Sequence, residues 1–309
     1  MLTELPHRTI IQLNGVDKVP FLQGLVTNDV TKIDKENPVY TAFLTPQGKF
    51  LFDLFIFQVG DSWWIDCERA RANALIKHLT MYKLRSQIDL MDLSSTYRVF
   101  AQWGESFTEE GIVINDPRLS QLGQRVYITT DSELNFFQTS SLSSSDLFRG
   151  SKDSRNKCEN DTIERLSLKG NSSSLSAYDA HRLSLGVPDG SRDIPIDKGI
   201  ILECGFDELH AIDWNKGCYM GQELTARTRY RGLVRKRLLP VLIEGNAPEP
   251  YTPVFLNEAE VGEIRTSADG YGLALLRLEN IRDTLPALKC GDAILKPYVP
   301  NWMQLPNIV

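Results

Sequence analysis

The sequence has no apolar run approaching the roughly 18 uncharged residues a membrane-spanning helix requires. It has no C-x-x-C pair, no G-x-x-x-x-G-K-[ST] loop and no G-x-G-x-x-G fingerprint, so nucleotide-phosphate binding of those types is not indicated. Its five cysteines (67, 158, 204, 218 and 290) are odd in number and widely scattered. That excludes a disulfide framework and an ordinary structural zinc site, and points to reduced thiols in a cytosol. Histidine is scarce: His7, His78, His181 and His210 stand in no recognisable Cys–His arrangement, so a covalent acyl or peptide-bond enzyme is poorly supported. His78 and His181 fall inside predicted helices, where a structural role is the ordinary one. A basic excess is missing as well. With 34 Lys+Arg against 40 Asp+Glu the net charge is −6, which argues against a partner built of nucleic-acid phosphate. The opening residues lack a basic segment followed by an apolar one, so no secretory signal is expected.

What is present is an ordinary globular composition: 309 residues, 42% apolar and 24% charged. At roughly 150 residues per domain, about two domains are expected. Residues 8–15 read as a strand, and Asp17 as the cap of a short helix through Leu25. Val39–Thr45, the run 49–59 and Trp63–Cys67, joined by tight turns at Pro46–Gly48 and Gly60–Asp61, predict an antiparallel meander. From about Asp66 to Leu84, Ala70, Ala74, Leu75, His78, Leu79 and Tyr82 recur at helical spacing. Tyr97–Trp103 and Gln124–Thr130 predict further strands. Twelve of the 38 residues from 139 to 176 are serine and apolar residues are few, which predicts a flexible surface insertion. A helix over 177–185 follows, stopped by Gly186 and Pro188. After about residue 237 short strands with glycine turns predict a small separate barrel or sandwich.

Two places invite chemistry. Asp53 lies inside Lys49-Phe-Leu-Phe-Asp-Leu-Phe-Ile-Phe57. Strand alternation puts Phe50, Phe52, Leu54 and Ile56 on one face and Asp53 with Leu51, Phe55 and Phe57 on the other. With both faces apolar the carboxylate is carried into a poorly solvated site, where it must be paired, be protonated or open onto a polar cavity. The other place is Lys216-Gly-Cys-Tyr-Met-Gly-Gln-Glu223. Cys218 lies between Gly217 and Gly221, which allow close backbone approach. Six cationic side chains follow from Arg227 to Arg237, and Glu223 is the one acidic residue between 216 and 237. Nearby cations favour a thiolate, so Cys218 is a candidate reactive thiol. A small buried thiol in a tight loop is the alternative.

This motif resembles the K-G-C-[YF]-x-G-Q-E signature of the YgfZ family, folate-binding proteins of iron–sulfur cluster biogenesis related in fold to the glycine-cleavage T-protein (an aminomethyltransferase). Phe21-Leu-Gln-Gly-Leu-Val-Thr-Asn-Asp29, Leu44-Thr-Pro-Gln-Gly-Lys-Phe-Leu-Phe-Asp53, Arg182–Gly190 and Gly272–Arg277 are similar to family segments in the same order. The match is nearest the branch with alphaproteobacterial and mitochondrial members. The resemblance implies an α+β, aminomethyltransferase-like ring of three subdomains around a central folate cavity, ending in a β-barrel. Residues 1–237 would form the folate-binding α+β region of two interleaved subdomains and 238–309 the barrel. It further implies tetrahydrofolate, possibly as the polyglutamate, as cofactor, with Asp53 facing its reactive nitrogen and Tyr178 offering an aromatic face. Arg227 and its neighbours would meet the glutamate tail. Cys218 would be the nucleophile or transient ligand, and Lys216, Gly217, Tyr219, Gly221, Gln222 and Glu223 would support its loop. No resident metal is implied. The function implied is assembly or repair of iron–sulfur clusters, with assembly factors or client iron–sulfur proteins as partners, in a bacterial cytoplasm. A folate-dependent aminomethyltransferase or demethylase is the alternative. The chain departs from the pattern at Arg8, where some members carry Trp, and at Ser184, where aminomethyltransferases carry Glu.

Overall fold

Short strands rich in Val, Ile and aromatic residues, each closed by a turn, build most of the protein. The computed structural model describes residues 1–104, 110–132, 174–232, 234–281 and 284–305. A five-stranded sheet has the order β3-β4-β5-β2-β6, formed by β2 (Arg8–Asn14), β3 (Val39–Leu44), β4 (Phe50–Val59), β5 (Ser62–Glu68) and β6 (Asp89–Asp92). All its pairings are antiparallel. A four-stranded sheet has the order β1-β7-β9-β8, from β1 (Leu2–Glu4), β7 (Tyr97–Gln102), β8 (Ile112–Asn115) and β9 (Gln124–Thr129). The third unit is a closed barrel, β10-β13-β12-β11-β14-β15, from β10 (Lys236–Glu244), β11 (Pro253–Leu256), β12 (Ala259–Ala268), β13 (Tyr271–Arg277), β14 (Leu288–Cys290) and β15 (Ala293–Pro297). Closure through β10 and β15 leaves no open strand edge. Among the described residues there are four α-helices: α1 (Lys18–Gln23) and α2 (Ala72–Lys83) between strands of the five-stranded sheet, then α3 (Leu175–Ser184) and α4 (Gln222–Tyr230) ahead of the barrel.

The strand β4 is buried on both faces as expected, but its alternation is reset. The β3–β4 register shifts between Phe43 and Leu44, so Phe43 faces Phe52 while Leu44 faces Phe50. This bulge puts Leu51 with Phe52, Leu54 and Ile56 in the core under α2, and sends Phe50 to the opposite core with Phe55. The helix predicted from Asp66 begins six residues later, because Asp66 and Cys67 are paired with Ile10 and Thr9 in the sheet. Its buried face is Ala72, Leu75 and Leu79, whereas Ala70 and Ala74 are exposed. His78 and His181 lie on helices α2 and α3, as the periodicity predicts.

Most of the expected serine-rich insertion lies outside the described residues. Its last two residues, Leu175 and Ser176, open α3 instead, and the Ser174 hydroxyl before them accepts from the Ala177 amide at 3.2 Å and caps the helix. The far end of α3 is tied to the chain that follows the barrel. Tyr298 Oη donates to Ser184 O and Trp302 Nε1 to Leu185 O, both at 2.7 Å, satisfying carbonyls that a helix end leaves open.

Candidate functional site

The Cys218 loop is held by main-chain contacts that the sequence motif encodes. Asp213 Oδ1 accepts from the amides of Asn215 (2.7 Å) and Lys216 (3.1 Å) and turns the chain. The Lys216 side chain runs inward, and its Nζ donates to Val26 O (2.7 Å) and Asn28 O (2.6 Å). Burial pushes the Lys216 ammonium down to about 8, despite the opposing fields of Asp29 and Asp213. The Met220 amide donates to Gly24 O at 3.0 Å. The loop is therefore clamped on the Gly24–Asp29 segment, whose Asn28 carboxamide in turn donates to Tyr40 O (2.8 Å) and His210 O (2.6 Å). Tyr219 is buried beneath, where desolvation raises its hydroxyl to about 12.

Gly221 has φ +79°, and a Cβ there would lie 2.5 Å from Thr45 O and 2.9 Å from the Gly48 Cα. Gly48, at φ +76°, meets Gly221 O in return. Two backbones thus touch directly, which only paired glycines permit. Gly217 has no such constraint, since a Cβ there meets nothing within 4 Å. The result is an exposed Cys218 on a fixed scaffold, while Cys67, Cys204 and Cys290 are buried. Cys158 lies outside the described residues. Desolvation pushes the Cys204 thiol up to about 12 and that of Cys67 higher still.

Gln222 and Glu223 open α4, where an acidic first-turn residue suits the helix dipole. Arg227 is exposed and pairs with Glu223 at 2.5 Å, one turn away. Arg229 lies over the Trp214 ring at 4.0 Å, and Arg237 is buried on Leu202 O and Glu208. The cationic run is consequently a helix followed by a turn into the barrel, with Arg231, Arg235 and Lys236 exposed.

Asp53 belongs to a separate place, where the two sheets meet. It is 2% exposed and accepts from Arg8 Nη1 at 3.0 Å, with Tyr40 Oη at 3.4 Å. Arg8, 1% exposed, also donates from Nε to Asp66 Oδ1 (2.7 Å) and from Nη2 to Asp66 O (3.1 Å). Asp66 is completed by Arg125 Nη1 (2.7 Å) and Tyr127 Oη (2.9 Å) from the other sheet. Arg118 forms a two-point pair with Asp116 at 2.9 and 2.7 Å. Burial alone would pull the Arg8 guanidinium down, but Asp53, Asp66 and Asp189 outweigh it and hold it well above its usual range. The opposite balance holds at Asp189: burial pushes its carboxyl up, and His7, Arg182 and Arg192 hold it well below. Of the states open to Asp53, pairing is the one realised. Tyr178 is also buried, packed 5.7 Å from the Trp103 ring in an apolar cluster with Phe57 and Trp64. On the outer side of the Asp116–Arg118 pair lies a cleft of about 850 Å³, lined also by Asn115, Gln121, Gln124 and His210.

The chain is 32% identical to the mitochondrial iron–sulfur cluster assembly factor IBA57 homologue of Mycosarcoma maydis, over 97% of this chain and 84% of that protein. The chain belongs to the IBA57 family. It is 28% identical to the mouse mitochondrial factor IBA57, over 96% of this chain and 84% of the mouse protein. Residues 235–305 match the family described as the CAF17 C-terminal β-barrel domain. In fold, the chain is similar to the glycine cleavage system aminomethyltransferase T of Bartonella henselae, with TM-score 0.63 at 12% identity over 98% of this chain and 86% of that one. The expected aminomethyltransferase-like fold with a terminal barrel is thus the fold observed. The expected bacterial cytoplasmic location is overturned, since the matched relatives are mitochondrial proteins of fungi and mouse.

The structure gathers Lys216, Tyr219, Gly221 and Gln222 around Cys218, and keeps Asp53 and Tyr178 apart from them in the interior. Arg227 is on the surface. Asp53 and Tyr178 are buried among their own partners and Arg227 is paired with Glu223, so these residues do not fit a tetrahydrofolate held in the manner the resemblance implies. Sequence reasoning missed Asp66, Arg125, Arg118 and Asp116. A signal existed: Arg125 shares a strand face with the buried Tyr127, and Asp66 stands between Ile65 and Cys67 in a strand. An ionic residue on an inward face demands a partner.

Proposed function

We propose that this protein is an accessory factor in iron–sulfur cluster assembly that acts through Cys218, in the mitochondrion. The observation that carries the reading is the exposed thiol on a loop whose position is fixed by Lys216, Met220 and Gly221. The names of its family members and its KGCYMGQE motif, which resembles that of the YgfZ proteins, support the same role. Among the described residues no group of three or more His, Cys, Asp or Glu is placed to hold a metal ion. A cluster iron has four ligand positions, and Cys218 can supply one thiolate. The remaining thiolates would come from a cluster-bearing assembly protein or client. On ligation the thiol proton passes to solvent and the sulfur lone pair takes up the iron position vacated by another ligand. Lys216 acts as a positioning residue, because its ammonium spans Val26 O and Asn28 O and fixes where the loop stands.

The aminomethyltransferase or demethylase alternative needs Asp53 open to a substrate amine, and Arg8 already occupies that carboxylate. The test is restoration of a mitochondrial [4Fe–4S] enzyme in cells lacking the gene, with wild type and Cys218→Ala compared. The Ala variant is expected to accumulate and melt as wild type does, because the thiol is exposed, yet to fail in restoring the enzyme. Full restoration by Cys218→Ala would remove the thiol from the mechanism. In vitro, mixing with a [2Fe–2S] carrier is expected to change the cluster's circular dichroism for wild type only.

A further inference from the structure

We propose that Arg8 closes the place where a folate would sit, and that this chain works without tetrahydrofolate bound at Asp53. The resemblance puts a folate nitrogen against the Asp53 carboxylate; here Arg8 Nη1 takes that contact at 3.0 Å. Among the described residues the carboxylates around Asp53 are each engaged by a cation, although His7 Nδ1, Arg125 Nε and Arg182 Nη2 remain without a hydrogen-bond partner. Asp66 is shared between Arg8, Arg125 and Tyr127, and Asp116 is held by Arg118. Asp189 receives His7 Nε2 at 2.8 Å and Arg192 at 2.9 Å, and Asp193 receives Arg182 at 2.7 Å. Aromatic faces are taken as well. The Phe55 ring has the guanidinium carbons of Arg125, Arg118 and Arg8 at 3.6, 4.8 and 5.3 Å from its centroid. Tyr40 packs on Phe55 and Phe206, and Tyr178 on Trp103.

A pterin could reach Asp53 only by displacing Arg8, which would leave a buried guanidinium short of one carboxylate. Breaking one member out of a buried pair is strongly unfavourable, so affinity at this position is lowered by roughly tenfold for each 1.4 kcal/mol so lost. Arg8 stands at the position where some YgfZ-like members carry Trp. One substitution thus exchanges an aromatic platform for a charge that neutralises Asp53 from within. The closure is independent of the assembly role and stands or falls on binding alone.

The experiment is anaerobic calorimetric titration of the full chain with tetrahydrofolate and with 5-formyltetrahydrofolate, to about 1 mM. Nitrogen-15 spectra of the arginine Nε–H groups are recorded along the titration. The expected result is no saturable heat and unmoved Nε–H resonances of Arg8 and Arg125. Saturable one-to-one binding that shifts the Arg8 resonance would overturn the proposal. Binding that leaves Arg8 and Arg125 unmoved would place the ligand elsewhere, as in the cleft beyond Arg118, and supports the closure. Loss of assembly activity in Cys218→Ala, or its survival, bears on the Cys218 role and leaves this result untouched.

Discussion

Replacing Arg8 by Met keeps the aliphatic stem and removes the cation. The two carboxylates it serves would respond unequally. Asp66 keeps Arg125 and Tyr127 at 2.7 and 2.9 Å, whereas Asp53 keeps only the long contact with Tyr40 at 3.4 Å. The uncompensated charge therefore falls on Asp53. Removing one partner from a buried ion pair typically costs about 3–5 kcal/mol. Set against a total stability of about 5–15 kcal/mol for a folded protein, that is roughly a fifth or more of the whole. Urea unfolding of wild type and Arg8→Met, read by tryptophan fluorescence, measures the loss as a drop in midpoint at unchanged slope. The double variant Arg8→Met/Asp53→Asn isolates the pair, because it removes both charges. It is expected to be more stable than Arg8→Met alone, with a coupling of about 1.5–3 kcal/mol. If Arg8→Met unfolds within about 0.5 kcal/mol of wild type, the buried network does not hold the junction together and the reasoning fails.

Three further outcomes follow from the Cys218 loop. The Lys216 Cε resonance should titrate near pH 8, and a midpoint at the usual lysine value of 10.5 would show that the side chain is not buried on Val26 O and Asn28 O. The sign of the linked stability is opposite to that of a salt-bridged lysine. Between pH 8 and 10.5 the unfolded chain still holds the proton the folded chain has released, so the Lys216 contribution grows as pH rises and is smallest below pH 8. Lys216→Met should consequently lose that pH-dependent rise, which paired urea titrations at pH 7.5 and 9.5 would detect. Gly221→Ala should lower stability by at least about 1–2 kcal/mol from the left-handed dihedral alone. The contact with Thr45 O adds to that figure, and a loss below about 0.5 kcal/mol would contradict the packing described.

Local chemistry was legible in the sequence and long-range pairing was not. The KGCYMGQE motif, the meander of β3 to β5 and the barrel strands β10 to β13 all announce themselves within a few residues of chain. Helix α4 did not, because its apolar content is low and its arginines resemble a solvated segment. Strands β14 and β15 were hidden by lysines that alternate with buried Leu288, Cys290 and Leu295. The burial of Asp53 followed from its apolar neighbours, but its partner did not, since Arg8 is 45 residues away and reaches it across the intervening strand β5. Strand alternation also failed at Phe50, because a bulge is a property of the pair of strands and not of either one.

The contact between Gly48 and Gly221 has a genetic consequence. Its backbone members, Thr45 O against Gly221 and Gly221 O against Gly48, are atoms that every residue possesses, so trimming the Leu44 or Leu224 side chain that also lies there would not by itself relieve an added Cβ. Most packing defects can be suppressed by a second substitution that gives back the lost volume. Here the facing backbone oxygens stay in place whatever side chain is trimmed. Among random losses of function in this loop, changes at these two glycines should therefore be the class that yields no second-site revertants outside the two positions themselves. The thiol and the turn that precedes Asp53 are thereby bound to change together or not at all.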